Sequence, residues 1–326
     1  MKFVLANTHE KDEIAMRDAY CQTLIELARQ DERIVSVDAD VMNSMGTVPF
    51  QKAFPDRCFN CGIQEANMIG VAAGLSATGM IPFAHTFGVF ATRRVFDQVF
   101  VSCSYAKLNV KIIGGDPGIT AAFNGGTHMP FEDMGIMRNI PEMTIIEPTD
   151  AVMMRDITRK IASLYGVFYI RSARKNVVKV YGEGSTFDIG KAALLRDGRD
   201  VTIIASGVLT DEALKAAEIL SARGISARIL NMFTIKPIDK DAVIQAARDT
   251  GAIVTVENHN IIGGLGSAVA EVLVENALVP MERVGIQDIF GEVGPEEYLK
   301  QRFGLTAADI AAKADKAMTR KGAALS

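Results

Sequence analysis

The residues EANMIGVAAGLSATGMIPFAHTF (65–87) place an apolar helical pattern directly before a short apolar run with the length of a strand. We predict a largely buried helix over 65–78 and a strand, or the exit from one, over 81–87. Glu65 is unusual here, because burying a carboxylate without a partner is costly. A carboxylate at a helix N-terminus also meets the positive end of the helix dipole, and that structural role stays open for Glu65 at this point.

The same alternation of helices and strands extends in both directions from this segment. Strands alternating with helices are typical of a parallel, doubly wound sheet, so the chain is predicted to be an α/β protein. The other predicted strands of the first half are RIVSVDAD (33–40), NVKIIGG (109–115), EMTIIEP (142–148) and GVFYIR (166–171). The other predicted helices of that half cover 10–30, 89–106 and 150–164.

A second α/β unit follows a change of composition at VKVYGEGSTFDIGKA (178–192). This stretch is rich in glycine and polar residues, which indicates a linker. We therefore predict two domains, 1–182 and 183–326. Predicted strands of the second domain are VTIIAS (201–206), ISARILN (225–231), AIVTVE (252–257) and ERVGIQD (282–288), and predicted helices cover 210–224, 238–250, 265–277 and the tail from about 296.

Composition argues against several classes of protein. The 326 residues are 48% hydrophobic and 23% charged, which is typical of a globular chain. A net charge of −4 without a long basic run disfavours a nucleic-acid surface. The apolar stretch near the N-terminus is too short for a signal peptide or a membrane span. Four cysteines without disulfide-framework spacing favour a reducing, cytoplasmic location.

Two short motifs could suggest other chemistry. Cys58-Phe-Asn-Cys61 matches CxxC, but zinc would need a second ligand pair and the four histidines are isolated. We therefore interpret these cysteines as buried structural thiols and predict no metal site in this chain. IIGGLGSAVAEV (261–272) resembles a dinucleotide-binding loop, but Val269 replaces its third glycine. Close helix packing is the better interpretation of those glycines.

Several longer motifs occur together in a fixed order. They are FPDR (54–57), GIQE (62–65), TFGVF (86–90), FDQ (96–98), GGTHMPFED (125–133) and SARKN (172–176). In this order and spacing they resemble the pyrimidine-binding domain of the transketolase family. IKPID (235–239) and GAIVTVENHNIIGGLGSAVAEVL (251–273) resemble that family's C-terminal domain. The resemblance covers nearly the whole chain and implies thiamine diphosphate as the cofactor, which supplies carbanion chemistry that the protein tunes.

The resemblance also implies roles for the residues that match the family's cofactor site. Glu65 would hydrogen-bond the N1′ nitrogen of the aminopyrimidine ring and promote the imino tautomer, which then deprotonates the thiazolium. Phe87 and Phe90 match the aromatic wall around the pyrimidine, although phenylalanines at this spacing are otherwise ordinary core residues. Asp40 falls where the family approaches the thiazolium ring.

A second set of residues matches the family's substrate contacts. His128 falls on the histidine that faces the hydroxyls of donor and acceptor. Ser44 and Arg174 match contacts to the substrate phosphate, and a guanidinium fork suits a tetrahedral oxyanion. Asn124 stands where the family has an aspartate that touches the C2 hydroxyl of the donor. An amide keeps hydrogen-bonding capacity there but removes a strong acceptor.

The family's diphosphate-binding motif, Gly-Asp-Gly, is missing from this sequence, because Gly115-Asp116 is followed by Pro117. We therefore expect a separate N-terminal subunit of roughly 270–300 residues to hold the diphosphate and its Mg²⁺ or other divalent metal. The resemblance implies an α2β2 assembly with the cofactor between the chains, because closed symmetric oligomers are the rule.

The expected activity is transfer of a two-carbon ketol unit from a ketose donor to an aldose or aldose phosphate acceptor. The family's phosphate-contacting histidine would align near Gly115 or Asp116, where this sequence has no histidine. A carboxylate at that position would repel a phosphate. The substrate is therefore expected to be a specialised ketose: a sulfonated sugar, a branched sugar phosphate or another uncommon ketose. Three alternatives stay open: the beta subunit of a 2-oxo acid dehydrogenase, a fragment of a deoxyxylulose-phosphate synthase, and a non-catalytic scaffold subunit.

Overall fold

The computed structural model describes residues 1–6 and 8–324 and contains two β sheets flanked by helices. The strands are β1 (Ile34–Asp38), β2 (Cys58–Asn60), β3 (Ile81–Phe87), β4 (Lys111–Gly115), β5 (Thr144–Ile146), β6 (Phe168–Ser172), β7 (Ala193–Arg196), β8 (Val201–Ala205), β9 (Ala227–Asn231), β10 (Thr234–Lys236), β11 (Ile253–Asn260) and β12 (Met281–Ile286).

The helices surround both sheets. They are α1 (Met16–Gln30), α2 (Met42–Met45), α3 (Val48–Ala53), α4 (Glu65–Ala77), α5 (Gly88–Thr92), α6 (Phe96–Gln98), α7 (Asp133–Met137), α8 (Ala151–Ser163), α9 (Thr210–Ser221), α10 (Lys240–Thr250), α11 (Leu265–Asn276), α12 (Glu296–Arg302) and α13 (Ala307–Ala324). Among the described helices, none has the length and apolar character needed to cross a bilayer.

The first sheet has seven strands in the order β10-β5-β6-β4-β3-β1-β2. All its pairings are parallel except the one between β10 and β5. Every residue of β1, β4 and β6 is buried, as expected for parallel strands covered on both faces by helices. The predicted parallel, doubly wound fold is therefore confirmed for this half of the chain.

The second sheet has five strands in the order β12-β11-β8-β9-β7, with only the β7–β9 edge pairing antiparallel. Two α/β units are thus present, as predicted. Strand β10 lies after the predicted boundary at 182/183 in sequence, yet it extends the first sheet. Residues 178–186 pair with the N-terminal segment through isolated bridges, including Leu5–Tyr181.

Local sequence explains where several helices begin. The Asp150 side chain accepts a hydrogen bond from the Met153 amide at the start of α8, and Asp239 does the same for Ala242 at the start of α10. Such side chains satisfy amide groups that have no partner within the helix. These helices begin within two residues of their predicted positions.

Two predictions about the helices need correction. The segment 89–106, predicted as one helix, is divided into the short helices α5 and α6, a 3₁₀ turn at Arg93–Val95 and a π-helical stretch at Val99–Tyr105. The helix α4 was expected to be largely buried, but it exposes a face of small residues that includes Gly70 and Gly74. Small residues leave little apolar area on that face, so exposing it to solvent costs little free energy.

Candidate active site

The predicted site residues lie at one edge of the first sheet. Parallel strands end together there, since Asp38 of β1 pairs with His85 of β3, and Gly115 of β4 pairs with both Phe87 and Ser172. The loops after these strands hold the predicted residues: Asp40 and Ser44 follow β1, Phe87 and Phe90 end and follow β3, Asn124 and His128 follow β4, and Arg174 follows β6. Ligands in doubly wound sheets bind at this carboxyl edge.

Phe87, Phe90 and His128 form an aromatic cluster. Their ring centroids are 6.3 Å apart for Phe87–Phe90, 5.5 Å for Phe87–His128 and 5.4 Å for Phe90–His128, all in edge-on arrangements. All three side chains are only half-buried, so they present an aromatic surface rather than ordinary core. The His128 Nδ1 atom lies 2.9 Å from the Thr127 hydroxyl, which orients the imidazole ring.

Glu65 joins this cluster through an arginine that the sequence analysis did not identify. The Glu65 side chain is 3% exposed, and its Oε2 accepts a hydrogen bond from Arg94 Nη1 at 2.7 Å. The guanidinium group of Arg94 also lies over the Phe90 ring, 3.9 Å from its centroid. The sequence predicts a carboxylate among apolar groups, but the structure also gives this carboxylate a positive partner. That partner is Arg94, which lies in the 3₁₀ turn between α5 and α6.

A second cluster contains the predicted phosphate contacts. Arg174 Nη2 donates to the Ser44 hydroxyl at 2.7 Å, and Arg17 Nη1 donates to the Ser44 carbonyl oxygen at 2.7 Å. Arg17 was not identified from the sequence, where it belongs to the charged face of α1. Two guanidinium groups therefore converge on Ser44 from different elements, an arrangement suited to an anion.

Asp116 completes this second cluster and lies beside Arg174 and Ser44, the residues predicted to bind the anionic group of the substrate. Its Oδ2 atom lies 3.7 Å from Arg174 Nη1 and accepts a hydrogen bond from Asn124 Nδ2 at 3.2 Å. Its backbone has a φ of 56°, in the left-handed region that aspartate tolerates better than most residues. Burial raises the pKa of Asp116 to about 6, and the nearby Arg174, Arg17 and Lys175 partly oppose that rise.

Asp40 lies on the same loop as Ser44 but contacts a different residue. It too has a positive φ, 64°, and its exposed carboxylate accepts a hydrogen bond from Asn60 Nδ2 at 2.9 Å. Its neighbour Asp38 is buried at the end of β1 and accepts a hydrogen bond from the Val41 amide at 2.6 Å. These contacts fix the path of the loop that presents Asp40 and Ser44.

The second α/β unit holds the loop that carries Asn124 and His128. Asn258 of β11 accepts a hydrogen bond from the Ile119 amide and donates one to the Pro117 carbonyl oxygen, each at 2.9 Å. Close by, the fully buried Arg171 binds both carboxylate oxygens of Asp133 at 2.8 and 3.0 Å. The loop between β4 and α7 is thus fixed at both ends by contacts between sequence-distant elements, which no local pattern indicates.

The two motifs set aside earlier have structural explanations. In IIGGLGSAVAEV, the N-terminus of α11 is occupied by the buried Glu257, whose carboxylate accepts hydrogen bonds from the Leu265 and Gly266 amides at 2.7 and 2.9 Å. This confirms close packing rather than a dinucleotide loop. Cys58 and Cys61 are free thiols, but they are half-buried rather than buried as expected.

Comparison with known proteins assigns both halves of the chain to one family. The model of the transketolase pyrimidine binding domain matches residues 12–179, and that of the transketolase C-terminal domain matches residues 190–310. The chain is 53% identical over 306 residues to a 6-deoxy-6-sulfo-D-fructose transketolase subunit of Clostridium sp. (strain MSTE9), covering 94% of this chain and 95% of that protein.

Two further relatives cover almost the same span. A putative transketolase C-terminal section of Methanocaldococcus jannaschii is 46% identical, covering 91% of this chain and 94% of that protein. A solved structure described as a split gene transketolase, inactive beta4 tetramer, superposes with a TM-score of 0.87 at 46% identity, covering 95% of this chain and 100% of that one. The chain therefore belongs to the transketolase family.

Proposed function

We propose that this chain is the pyrimidine-binding subunit of a two-chain transketolase that transfers a two-carbon ketol unit from a ketose to an aldose. One observation carries the proposal: three sequence-distant residues, Glu65, Phe90 and His128, are linked in space. Arg94 bridges Glu65 and Phe90, and Phe90 packs against His128. A buried carboxylate, an aromatic surface and a half-exposed imidazole at one sheet edge suit a cofactor and a sugar side by side.

The residues present fit the pyrimidine end of thiamine diphosphate. A nearly fully buried carboxylate at the N-terminus of α4 can hydrogen-bond a ring nitrogen, and Phe87 and Phe90 are half-buried, so part of each side chain is able to contact an aromatic ring. When bound, the cofactor supplies the carbanion chemistry of ketol transfer. Glu65 would hold a proton at the pyrimidine nitrogen, and Asp40 would lie toward the thiazolium.

His128 is assigned to the substrate hydroxyls. The contact with Thr127 orients its ring, and the two phenylalanines pack against its edges. An imidazole held in this way can take up or release a proton at a sugar hydroxyl while ketol transfer proceeds. The phenylalanines also keep part of the site dry, which strengthens the hydrogen bonds made there.

Ser44, Asn124 and Arg174 are assigned to the other end of the substrate. The pairing of Arg174 with the Ser44 hydroxyl favours a tetrahedral anionic group on the sugar. Asp116, next to Arg174, makes an ordinary pentose phosphate a poor match. A specialised ketose is therefore proposed, and the name of the Clostridium relative supports a sulfonated one.

The diphosphate and its divalent metal are assigned to a partner subunit. Within residues 1–6 and 8–324, no group of three histidine, cysteine, aspartate or glutamate side chains converges as a metal site. Relatives named as a subunit, a C-terminal section and a split gene product support a two-chain enzyme. An α2β2 assembly and a cytoplasmic location remain part of the proposal.

The test is ketol transfer by the complex. The chain is mixed with the diphosphate-binding subunit, thiamine diphosphate and Mg²⁺, and is given xylulose 5-phosphate, fructose 6-phosphate and 6-deoxy-6-sulfo-D-fructose as donors with aldose phosphate acceptors. We expect a specialised donor to be used more efficiently than xylulose 5-phosphate. Efficient use of xylulose 5-phosphate with ribose 5-phosphate would contradict the specialised substrate, and no transfer from any ketose would contradict the function.

A further inference from the structure

We propose that Asp116 determines which anionic group the sugar substrate may carry, by disfavouring a doubly charged phosphate relative to a singly charged sulfonate. This inference rests on the proposed function, because it concerns the end of the substrate held by Arg174 and Ser44. Asp116 would select between the two anionic groups, and Arg174 and Ser44 would bind whichever group is accepted.

The position of Asp116 makes its charge unavoidable for any anion at this end. Its Oδ2 atom lies 3.7 Å from Arg174 Nη1, and the other terminal nitrogen of the same guanidinium group donates to Ser44. An anion bound by Arg174 and Ser44 would therefore lie within about 5–7 Å of the carboxylate, given ordinary hydrogen-bond lengths.

The carboxylate is not neutralised by its other contacts. Asp116 is 2% exposed, and its Oδ1 atom has no hydrogen-bond partner within the residues the structure describes. A buried, unsatisfied acceptor is costly in a folded protein and points to a functional constraint. Arg17 and Lys175 lie close enough to favour its charged form, so the cluster has an excess of positive charge that Asp116 reduces by one.

Asn124 fits the same explanation. Its amide donates to Asp116 Oδ2 at 3.2 Å. The aspartate expected at position 124 from the family resemblance would instead place two carboxylates in contact, which is strongly unfavourable. The amide at 124 and the carboxylate at 116 are therefore a matched pair, and the two departures from the family pattern have one physical cause.

The charge of Asp116 discriminates because the two substrate groups differ in charge. A phosphate monoester carries close to two negative charges at neutral pH, whereas a sulfonate carries one. At about 6 Å and an effective dielectric constant of about 20, one additional charge corresponds to roughly 100-fold in affinity, and solvent screening reduces this to roughly 10-fold. A sulfonate avoids that additional repulsion.

The experiment compares two donors in the reconstituted two-chain enzyme: fructose 6-phosphate and 6-deoxy-6-sulfo-D-fructose. Asp116→Asn keeps the shape, and asparagine tolerates the positive φ at this position. We expect kcat/KM to rise for both donors and to rise about 10-fold more for the phosphate donor, because removing the Asp116 charge relieves the repulsion of two charges on the phosphate and of one on the sulfonate. Asp56→Asn, which removes an exposed carboxylate after α3, is the control and should change neither value.

Equal changes for both donors, whether gains or losses, would overturn the inference, because they would mean that Asp116 does not distinguish the two anionic groups. No change for either donor would also overturn it. A direct binding measurement separates this outcome from failure of the proposed function: inorganic phosphate and methanesulfonate are titrated into the complex by calorimetry. A gain in binding on Asp116→Asn that is larger for phosphate than for methanesulfonate would support the inference even without turnover, whereas equal gains, or unaltered or undetectable binding of both, would refute it.

Discussion

Glu65 shows how much one residue depends on neighbours that are distant in sequence. From sequence alone it is a carboxylate at the head of an apolar helix, and a dipole interaction would explain it. In the structure it is nearly fully buried, bonded to Arg94 and linked through Arg94 to the aromatic cluster. A role at the helix end would not require the aromatic cluster, whereas a cofactor-binding role uses every one of these contacts.

Replacing Glu65 with glutamine tests whether this site performs chemistry. The amide keeps the size of the side chain but cannot hold a proton at the ring nitrogen in the same way. We expect kcat of the complex to fall by about 10²- to 10⁴-fold, the usual contribution of a positioned proton-transfer group. Steady-state assays of the complex measure this.

The control is Glu26→Gln on α1, where the side chain is about half exposed and contacts Arg159. It should leave kcat within twofold of the unmodified complex. Activity of Glu65→Gln within threefold of the unmodified complex would favour the scaffold alternative, in which the fold persists without catalysis by this chain.

The buried carboxylate of Asp116 should make the free energy of unfolding depend on pH in a defined direction. Burial raises the pKa of Asp116 from 3.8 to about 6. Between these two pH values, the folded chain keeps a proton on Asp116 that the unfolded chain has already released. Ionised Asp116 therefore lowers the free energy of unfolding above about pH 6, and this penalty declines as the pH falls toward 4.

Asp116→Asn should accordingly be more stable than the unmodified chain at pH 8, by about 1–3 kcal/mol. The difference should shrink by about half at pH 5. Urea denaturation of both proteins at the two pH values measures it. A variant that is less stable at pH 8, or a difference that grows as the pH falls, would be inconsistent with a buried, destabilising charge.

At the scale of elements, the sequence predicts most strands and helices because their signals are local. Apolar β-branched runs identify β1, β8 and β11, and amphipathic spacing identifies α8 and α10. The segment 89–106 is the informative failure. Its apolar content suggests one helix, but contacts with other segments divide it: Arg94 binds Glu65, and Arg93 Nε lies 3.1 Å from Glu132 Oε1.

Strand β10 and the loop between β4 and α7 show the same limit of local sequence signals. The pairing of Thr234–Lys236 with β5 crosses the predicted domain boundary, and Asn258 holds the loop from more than a hundred residues away. Such pairings depend on tertiary contacts, which a local pattern does not encode. The predicted site residues came from motif resemblance, whereas Arg17 and Arg94, which lie outside those assignments, required the folded structure.

Substitution of Gly264 tests how closely the start of α11 packs against Glu257 and His259. A Cβ atom there would lie 2.1 Å from Glu257 Oε2 and 2.6 Å from His259 Nδ1, both in a fully buried region. Gly264→Ala should therefore lower the free energy of unfolding by about 1–3 kcal/mol, through overpacking. Chemical denaturation is the measurement.

Gly70→Ala on the exposed face of α4 is the matched control, since a Cβ atom there meets nothing within 4 Å. Alanine is the better helix former, so this variant should be as stable as the unmodified chain or more stable by up to about 1 kcal/mol. Equal effects of the two substitutions would show that α11 does not depend on the contact with Glu257.

At the scale of the whole molecule, Arg171 joins the two α/β units. It is fully buried, binds Asp133 and Glu147, and donates to the Asn258 carbonyl oxygen of β11 at 3.1 Å. Removing one member of such a network leaves uncompensated buried charge. Arg171→Met should lower the free energy of unfolding by about 3–5 kcal/mol.

Arg33→Met provides the comparison, because Arg33 is 64% exposed and pairs with Asp31 at the surface. Exposed ion pairs contribute little to stability, so this substitution should have little effect. Both free energies come from urea denaturation. A loss below 1 kcal/mol for Arg171→Met would mean that the network does not stabilise the arrangement of the two units.

This chain is proposed to hold the pyrimidine end of the cofactor and to need a second chain for the diphosphate end. The most direct measurement is ketol transfer by each chain alone and by their mixture, with thiamine diphosphate, Mg²⁺ and the donor panel present throughout. We expect no transfer by either chain alone and transfer that rises to saturation as one chain is titrated with the other. Transfer by this chain alone, or an inactive mixture in which the two chains form a stable complex, would contradict it.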